Sequence, residues 1–192
     1  MGRLPDNILA DLKRDRLVRE GHWAYSTGRH SAGLLDRDHL TTDPVALGHM
    51  SYALAKRFFV DHVDTVASPS IQGAGLALWI AHFLDPKARV VPADRTPAGP
   101  AVPPGLDDLV RGKRVLLVDD LIVTGDLMRP LARSVAERGG DVIGVATLWN
   151  IGDPQIDGHA VFGLLNTAYE AFPIAGCPLC AAAASEATLA GY

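Results

Sequence analysis

The sequence predicts an α/β fold, a mostly parallel sheet flanked by helices. Three observations carry that reading. After residue 60, short apolar runs of strand length alternate with longer helical segments, the order that builds parallel sheets. The strongest of these runs, "KRVLLVDD", reads as a buried strand. The chain has 192 residues, 48% of them hydrophobic, enough for one sizeable core, and it shows no internal repeat or second domain.

The elements follow in order. Asp6 or Asn7 caps a first helix that reads to about Glu20, with Leu9, Leu12, Leu17 and Val18 on its apolar face. "GHWAYSTGRHSAGLLDRD" is dense in Gly, Ser and aromatics and reads as a short hairpin or loop layer, not as core. "TTDPVALGHMSYALAKRFF" is a second helix, with Thr42 as N-cap and Pro44 in the first turn. "HVDTVASPS" is a short buried strand and "IQGAGLALWIAHFL" a small-residue loop and helix. "KARVVPA" is another strand. "DRTPAGPAVPPGLDD" is an irregular Pro/Gly-rich stretch whose length suits a functional lid. "KRVLLVDD" is followed by the helix "DLMRPLARSVAERGG" with its glycine stop, and by the strands "DVIGVATLWN" and "HAVFGLLN".

Composition narrows the function. The net charge is −4 and no basic block stands out, so no nucleic-acid partner is expected. No segment approaches the length of a membrane span, and the first residues hold no apolar run of signal-peptide length, so a soluble cytoplasmic protein with no membrane partner is expected. Two cysteines, Cys177 and Cys180, do not make a secreted disulfide framework.

The chemistry concentrates in "RVLLVDDLIVTGD". Asp119 and Asp120 fall at the carboxyl end of a strand, where open α/β sheets bind ligands. Backbone N–H groups of the following turn, backed by a helix N-terminus, form an anion nest. Gly125 permits close approach, and the Thr124 hydroxyl adds a hydrogen bond. A phosphate in the nest and vicinal hydroxyls on the carboxylates describe one ligand, a ribose 5-phosphate.

"VLLVDDLIVTGD" resembles the phosphoribosyl-pyrophosphate (PRPP) signature of type I phosphoribosyltransferases. "GHWAYSTGRHSAGLLDRD" is similar to the amino-terminal hood of orotate phosphoribosyltransferases, "VASPSIQGAGLA" stands where that family has its pyrophosphate loop, and "CPLC" recurs in a bacterial orotate-phosphoribosyltransferase-like branch. The resemblance implies a phosphoribosyltransferase-type, Rossmann-like single domain: residues 1–40 in the hood, 60–170 in the α/β core and 171–192 in a tail. It implies transfer of 5-phosphoribosyl from PRPP to a ring nitrogen of an orotate-like or other small heterocyclic acceptor, with release of pyrophosphate. Asp119 and Asp120 would hold the ribose hydroxyls and meet Mg²⁺ only indirectly, through PRPP. Val123, Thr124, Gly125, Asp126 and Leu127 would hold the 5′-phosphate; Ser70, Gln72 and Gly73, with Ser68, would serve the pyrophosphate. A homodimer is expected.

The chain departs from the family pattern in places that bear on function. Leu127 replaces a phosphate-binding hydroxyl, and Asp126 adds a negative charge that should repel the phosphate unless it turns away. The lid has no lysine, which makes Arg95 its one cation for the leaving pyrophosphate. The arginine that grips the orotate carboxylate after the "GVATLWN" strand is missing; Arg29 or Arg37 would substitute, and Trp149 would stack on a flat ring. These changes keep two other readings open: a non-catalytic PRPP- or nucleotide-binding regulatory protein of the same fold, and a specialised enzyme with a non-orotate acceptor. His22 and His30, in the hood, could face substrate or simply pack. Cys177 and Cys180 are half of a zinc site, a redox pair or idle thiols; zinc needs two more ligands, from scattered histidines such as His159 or from a partner subunit.

Overall fold

The computed structural model describes residues 12–13, 16–166, 169–182 and 186–190. It begins with a hairpin, β1 (Val18–Ala24) and β2 (Arg29–Leu35), turned by Gly28 in the left-handed region at φ 72°. The hairpin is expected, but it does belong to the core, with Trp23, Tyr25, Leu34 and Leu35 buried in the main apolar cluster because the hood packs on the sheet. The start of the expected first helix lies outside the described residues. Its expected end is wrong: Val18 to Glu20 belong to β1, where pairing with β2 outweighs helical pattern.

Two helices follow, α1 (Arg37–Thr42) and α2 (Pro44–Ala55). The N-cap of α2 is Asp43, not Thr42: its carboxylate accepts from the N–H groups of Val45 and Ala46, both at 3.0 Å. Proline favours the first helical position, so the residue before Pro44 takes the cap. Thr42 instead ends α1, its hydroxyl donating to the His39 carbonyl.

The α/β core alternates as expected: β3 (Thr65–Ser68), α3 (Ile71–Leu84), β4 (Arg89–Pro92), β7 (Arg114–Ile122), α4 (Met128–Glu137), β8 (Asp141–Asn150), β9 (Gln155–Ile156) and β10 (His159–Asn166). The sheet order is β4-β3-β7-β8-β10-β9, parallel throughout except for the antiparallel edge pair β9–β10. Successive residues of β7 enter two different apolar clusters, Leu116 and Val118 on one face and Val115 and Leu117 on the other, all fully buried. Helices α2 and α3 cover the first face, and Met128, Leu131 and Val135 of α4 cover the second. A strand buried on both faces has no room for polar residues until it leaves the core, which is why the acids come at its end.

The Pro-rich stretch is not irregular. It forms the hairpin β5 (Asp94–Thr96) and β6 (Gly99–Ala101), then a 3₁₀ turn over Pro104–Leu109. Gly99, at φ 110°, lies against Pro130, where a Cβ would come within 2.7 Å of the ring. The Val102 N–H donates to Ser134 Oγ at 3.0 Å. These contacts dock the hairpin on α4.

The tail returns to the start of the chain. Strand β11 (Ala171–Pro173) pairs with β2, a 3₁₀ turn leads into α5 (Pro178–Ala181), and β12 (Thr188–Leu189) pairs with β1. The hood is therefore a four-stranded sheet, β11-β2-β1-β12, made from both ends of the chain. Among the described residues no helix is long and apolar enough to cross a membrane.

Candidate active site

The chain runs from β3 outward to β4, then returns to place β7 on the other side of β3. That reversal is a topological switch point, and open α/β sheets bind ligands in the crevice it leaves at the carboxyl ends of the strands. A cleft of about 490 Å³ opens there, within the range of small-ligand sites. Its walls come from the end of β7, the start of α3, the β5–β6 hairpin and the hood.

Asp119 lines the cleft and is 7% exposed; Asp120 is 6% exposed. Neighbouring residues of a strand point to opposite sides. Asp120 turns to Arg37 of α1, with its Oδ1 3.5 Å from the guanidinium, while the Asp119 carboxylate accepts the Asp120 N–H at 3.1 Å. Burial, and then repulsion by Asp120, hold the Asp119 carboxyl well above the usual carboxylate range. Burial also raises Asp120, opposed by the Arg37 charge. Two adjacent buried acids with one counter-ion are poorly satisfied by the protein alone, and hydroxyl donors would relieve them.

Val123, Thr124, Gly125, Asp126 and Leu127 form one wall of the cleft. Gly125 has φ 80°, a left-handed conformation that favours glycine, and a Cβ there would also press on the end of the Ile156 side chain. Among the described residues, the N–H groups of Thr124 to Leu127 donate to no protein acceptor, whereas those of Met128 and Arg129 already bond to the Gly125 carbonyl. These donors, in the turn before the ten-residue helix α4 and on residues that line the cleft, are the makings of an anion nest.

Asp126 acts here differently from simple repulsion. Its carboxylate accepts the Thr124 hydroxyl at 2.6 Å and lies 3.4 Å from the Arg129 guanidinium. It thus occupies the donor expected for the phosphate, together with a cation next to the loop. Replacing Asp126 with Gly is expected to tighten binding of a 5′-phosphate about three- to thirtyfold, by removing a like charge and releasing both groups. Calorimetry with ribose 5-phosphate measures this; weaker binding would show that Asp126 organises the loop.

Ser70 and Gln72 line the opposite side. Ser70 is the N-cap of α3: its Oγ accepts the Gly73 N–H at 3.2 Å and retains its own O–H to donate. Gly73 is not among the lining residues; a Cβ there would clash with Ser68 Oγ and lie tight against Asp119 Oδ1 at 3.1 Å. Ser68 is buried, its hydroxyl donating to the Ser70 carbonyl, and shapes the loop without lining the cleft. Arg95 reaches the cleft from β5, as the lid reading expected.

Two expectations fail. Trp149 is fully buried, with its ring 5.7 Å from that of Tyr169 and its edge under Gly33 of β2, so it cannot stack on a ligand. It fills the seam between core sheet and hood, where a large ring contributes most by burial. Arg29 is also elsewhere: its guanidinium donates to the Ala171 carbonyl at 2.9 Å and ties β2 to β11. The hood cation in the cleft is Arg37. Cys177 and Cys180 lie away from the cleft against His22 and His30, and His159 pairs with Ile156 at the sheet edge.

Sequence reasoning missed the hood turn and the support of the phosphate loop. Tyr25, Ser26 and Thr27 line the cleft, and the buried Tyr25 hydroxyl donates to the Gly33 carbonyl at 2.7 Å. "YSTGR", a polar turn between two apolar segments, was the available signal. Gly152 packs directly on the Val123 carbonyl, and the Ile151 N–H donates to the Ile122 carbonyl at 2.9 Å.

No family model matches the chain. Among curated proteins, an orotate phosphoribosyltransferase of Thermus thermophilus is 30% identical over 91% of this chain and 94% of its own length. That of Caldanaerobacter subterraneus subsp. tengcongensis is 28% identical over 91% of each. Among solved structures, the Mycobacterium tuberculosis orotate phosphoribosyltransferase in complex with Fe(III) dicitrate superposes with a TM-score of 0.63, at 23% identity, over 83% of this chain and 95% of that one. The same enzyme in complex with PRPP gives 0.55, at 19% identity, over 70% and 81%.

Proposed function

The chain belongs to the orotate phosphoribosyltransferase family, and we propose that it transfers the 5-phosphoribosyl group of PRPP to a ring nitrogen of orotate or a closely similar acidic heterocycle. One observation carries the reading: a buried carboxylate and a run of N–H donors that bond to no described protein acceptor line the same cleft at the switch point. A ribose 5-phosphate presents both hydroxyls and a dianion, the two groups that such a cleft would bind.

Asp119, which lines the cleft, accepts from the ribose hydroxyls, while Asp120 is not among the lining residues and faces Arg37, which is. The N–H groups of Thr124 to Leu127 hold the 5′-phosphate. Ser70, Gln72 and Arg95 receive the pyrophosphate. As the bond from C1′ to the pyrophosphate oxygen breaks, the acceptor nitrogen bonds to C1′ and gives its proton to solvent, and positive charge passes through the ribose ring. Asp119 stabilises that charge, while Arg95 stabilises the departing anion. The acceptor lies on the hood side, between the Tyr25–Thr27 turn and Arg37.

Mg²⁺ is the cofactor this reading expects. The donors fit it: the pyrophosphate side offers hydroxyl, amide and carboxylate oxygens from Ser70, Gln72 and Asp119, and Mg²⁺ keeps its waters and binds largely through substrate phosphates. Bound there, the ion would neutralise charge on the leaving group.

Arg37 is the acceptor's expected anion partner. Arg37→Ala should raise the acceptor KM about tenfold to a hundredfold, the effect of losing a guanidinium–carboxylate contact. Steady-state kinetics with orotate and with uracil, which lacks the carboxylate, checks this: only orotate should lose affinity.

A homodimer is the assembly we expect. Tyr52, Phe59, Val60, Leu78 and Trp79 leave an exposed apolar face on α2, α3 and the turn after α2, a surface of the kind that self-association covers. Sedimentation would return twice the chain mass.

The experiment for the function is calorimetric titration with PRPP, with and without Mg²⁺, followed by pyrophosphate release with orotate, uracil, purines and small aromatic acids. Mg²⁺-dependent binding and turnover with orotate support the proposal. Binding without turnover would replace it with the regulatory reading, and turnover only with another acceptor would replace orotate.

A further inference from the structure

We propose that His22, His30, Cys177 and Cys180 form a structural zinc site that fastens the tail of the chain to the hood. Their ligand atoms all lie within 4.8 Å of one another. His22 Nε2 is 2.9 Å from His30 Nδ1 and 3.6 Å from each sulfur, and Cys180 Sγ is 3.3 Å from His30 Nδ1. Around a tetrahedral zinc with ordinary bond lengths, nitrogen–sulfur edges are about 3.6 Å and nitrogen–nitrogen edges about 3.3 Å. The cluster therefore has the size of a zinc coordination shell.

Hydrogen bonding does not explain this convergence. An imidazole nitrogen carries either one proton or one lone pair, so it cannot satisfy three polar neighbours at once. His22 Nε2 has three. One cation at the centre satisfies all four groups together. Two nitrogens and two sulfurs select zinc among the common divalent ions, and four protein ligands close the shell, which marks a structural site. His22, His30 and Cys177 are buried while Cys180 is exposed, so the ion would have a route in.

The fold builds the cluster deliberately. In β1, Glu20 pairs with Gly33 and Trp23 with Ser31, so Gly21 and His22 together face Ala32. Such a bulge re-aims a side chain. His30 pairs with Ala24 on one side and with Phe172 of β11 on the other. Cys177, at the N-cap of the short helix α5, and Cys180, within it, then arrive about one turn apart. The tail's elements are only two to four residues long, too short to secure themselves by packing. A metal staple supplies what a small core cannot. On binding, each thiol gives its proton to solvent, and each histidine ligates through an imidazole nitrogen lone pair.

The test uses the full chain without a histidine tag, expressed with zinc and dialysed against metal-free buffer. Elemental analysis should find about one zinc per chain, the stoichiometry of a single closed site. Cys177→Ser with Cys180→Ser should lose at least nine-tenths of it. Should that variant not fold, Co²⁺ added to chelator-stripped wild type provides the reading: intense visible bands of tetrahedral cobalt with a thiolate charge-transfer band. Zinc should also protect both thiols from a thiol reagent and the tail from proteolysis, while PRPP binding persists, since the cluster lies outside the cleft. Folded wild type with under a tenth of a zinc per chain, an octahedral cobalt spectrum, or a Cys177–Cys180 disulfide in the purified protein would overturn the site. None of these outcomes would touch the phosphoribosyltransferase reading, which PRPP titration decides separately.

Discussion

Asp119→Asn combined with Asp120→Asn is expected to weaken PRPP binding about a hundredfold or more, and to raise stability at neutral pH. Two charge-assisted hydrogen bonds to ribose hydroxyls are worth about 1.5–3 kcal/mol each, and each 1.4 kcal/mol is a factor of ten. The stability gain has a defined sign. Burial raises the Asp119 carboxyl above its ordinary value of 3.8. A raised acid contributes stability that is present in full below that value and lost as pH rises through the folded-state value. The amide carries no such loss. The variant should match wild type near pH 4 and exceed it by about 1–3 kcal/mol near pH 7, read as a melting point about 2–10 °C higher. PRPP affinity of the wild type should rise with pH over the same window, because ribose hydroxyls bond best to the ionised pair, and the variant should lack that rise. A variant that loses stability at neutral pH while keeping its affinity would remove the acids from the site.

Gly152→Ala is expected to cost about 2–4 kcal/mol of stability, the cost of forcing extra atoms into a packed interior, and to weaken PRPP binding about tenfold to a hundredfold. Nothing about Gly152 looks functional in isolation. Its Cβ position is occupied by the Val123 carbonyl oxygen, a backbone atom that cannot rotate away. The loop that carries it is held by Asn150, fully buried, whose amide bonds to Asp153 and Asn166 at 3.1 and 3.2 Å. The only relief is to move Val123, and with it the N–H groups that face the phosphate. Thermal melting and PRPP titration on the same sample check both halves; a stable variant with unchanged affinity would show that the phosphate loop does not depend on this brace.

Much of the fold was legible because its signals are local. Strand β7 declares itself by a run of apolar residues, α4 by periodicity and a glycine stop at Gly139, which takes φ 77°. The phosphate loop was legible for the same reason: "DDLIVTGD" is contiguous, and its glycine answers to local backbone geometry. Errors arose where partners were distant. Val18–Glu20 follow a helical pattern but pair with β2 as a strand. Trp149 stands at a strand end, beside candidate ligand positions, yet the hood closes over it. Arg29 and Arg37 are equivalent on paper; only the turn of the chain after β2 sends one to Ala171 and the other to Asp120.

The sequence by itself determined the α/β alternation, the acid pair at the end of a buried strand, the anion nest after it and the family resemblance, because each rests on neighbouring residues and on backbone rules that act over a single turn. Only the tertiary structure decided that Asp126 holds the Thr124 hydroxyl, that Arg37 rather than Arg29 joins Arg95 in the cleft, that Gly152 braces the phosphate loop, and that His22 meets Cys177 across 155 residues of chain. Those contacts follow from how the sheet and hood pack, and packing between distant segments leaves no periodic trace in either one.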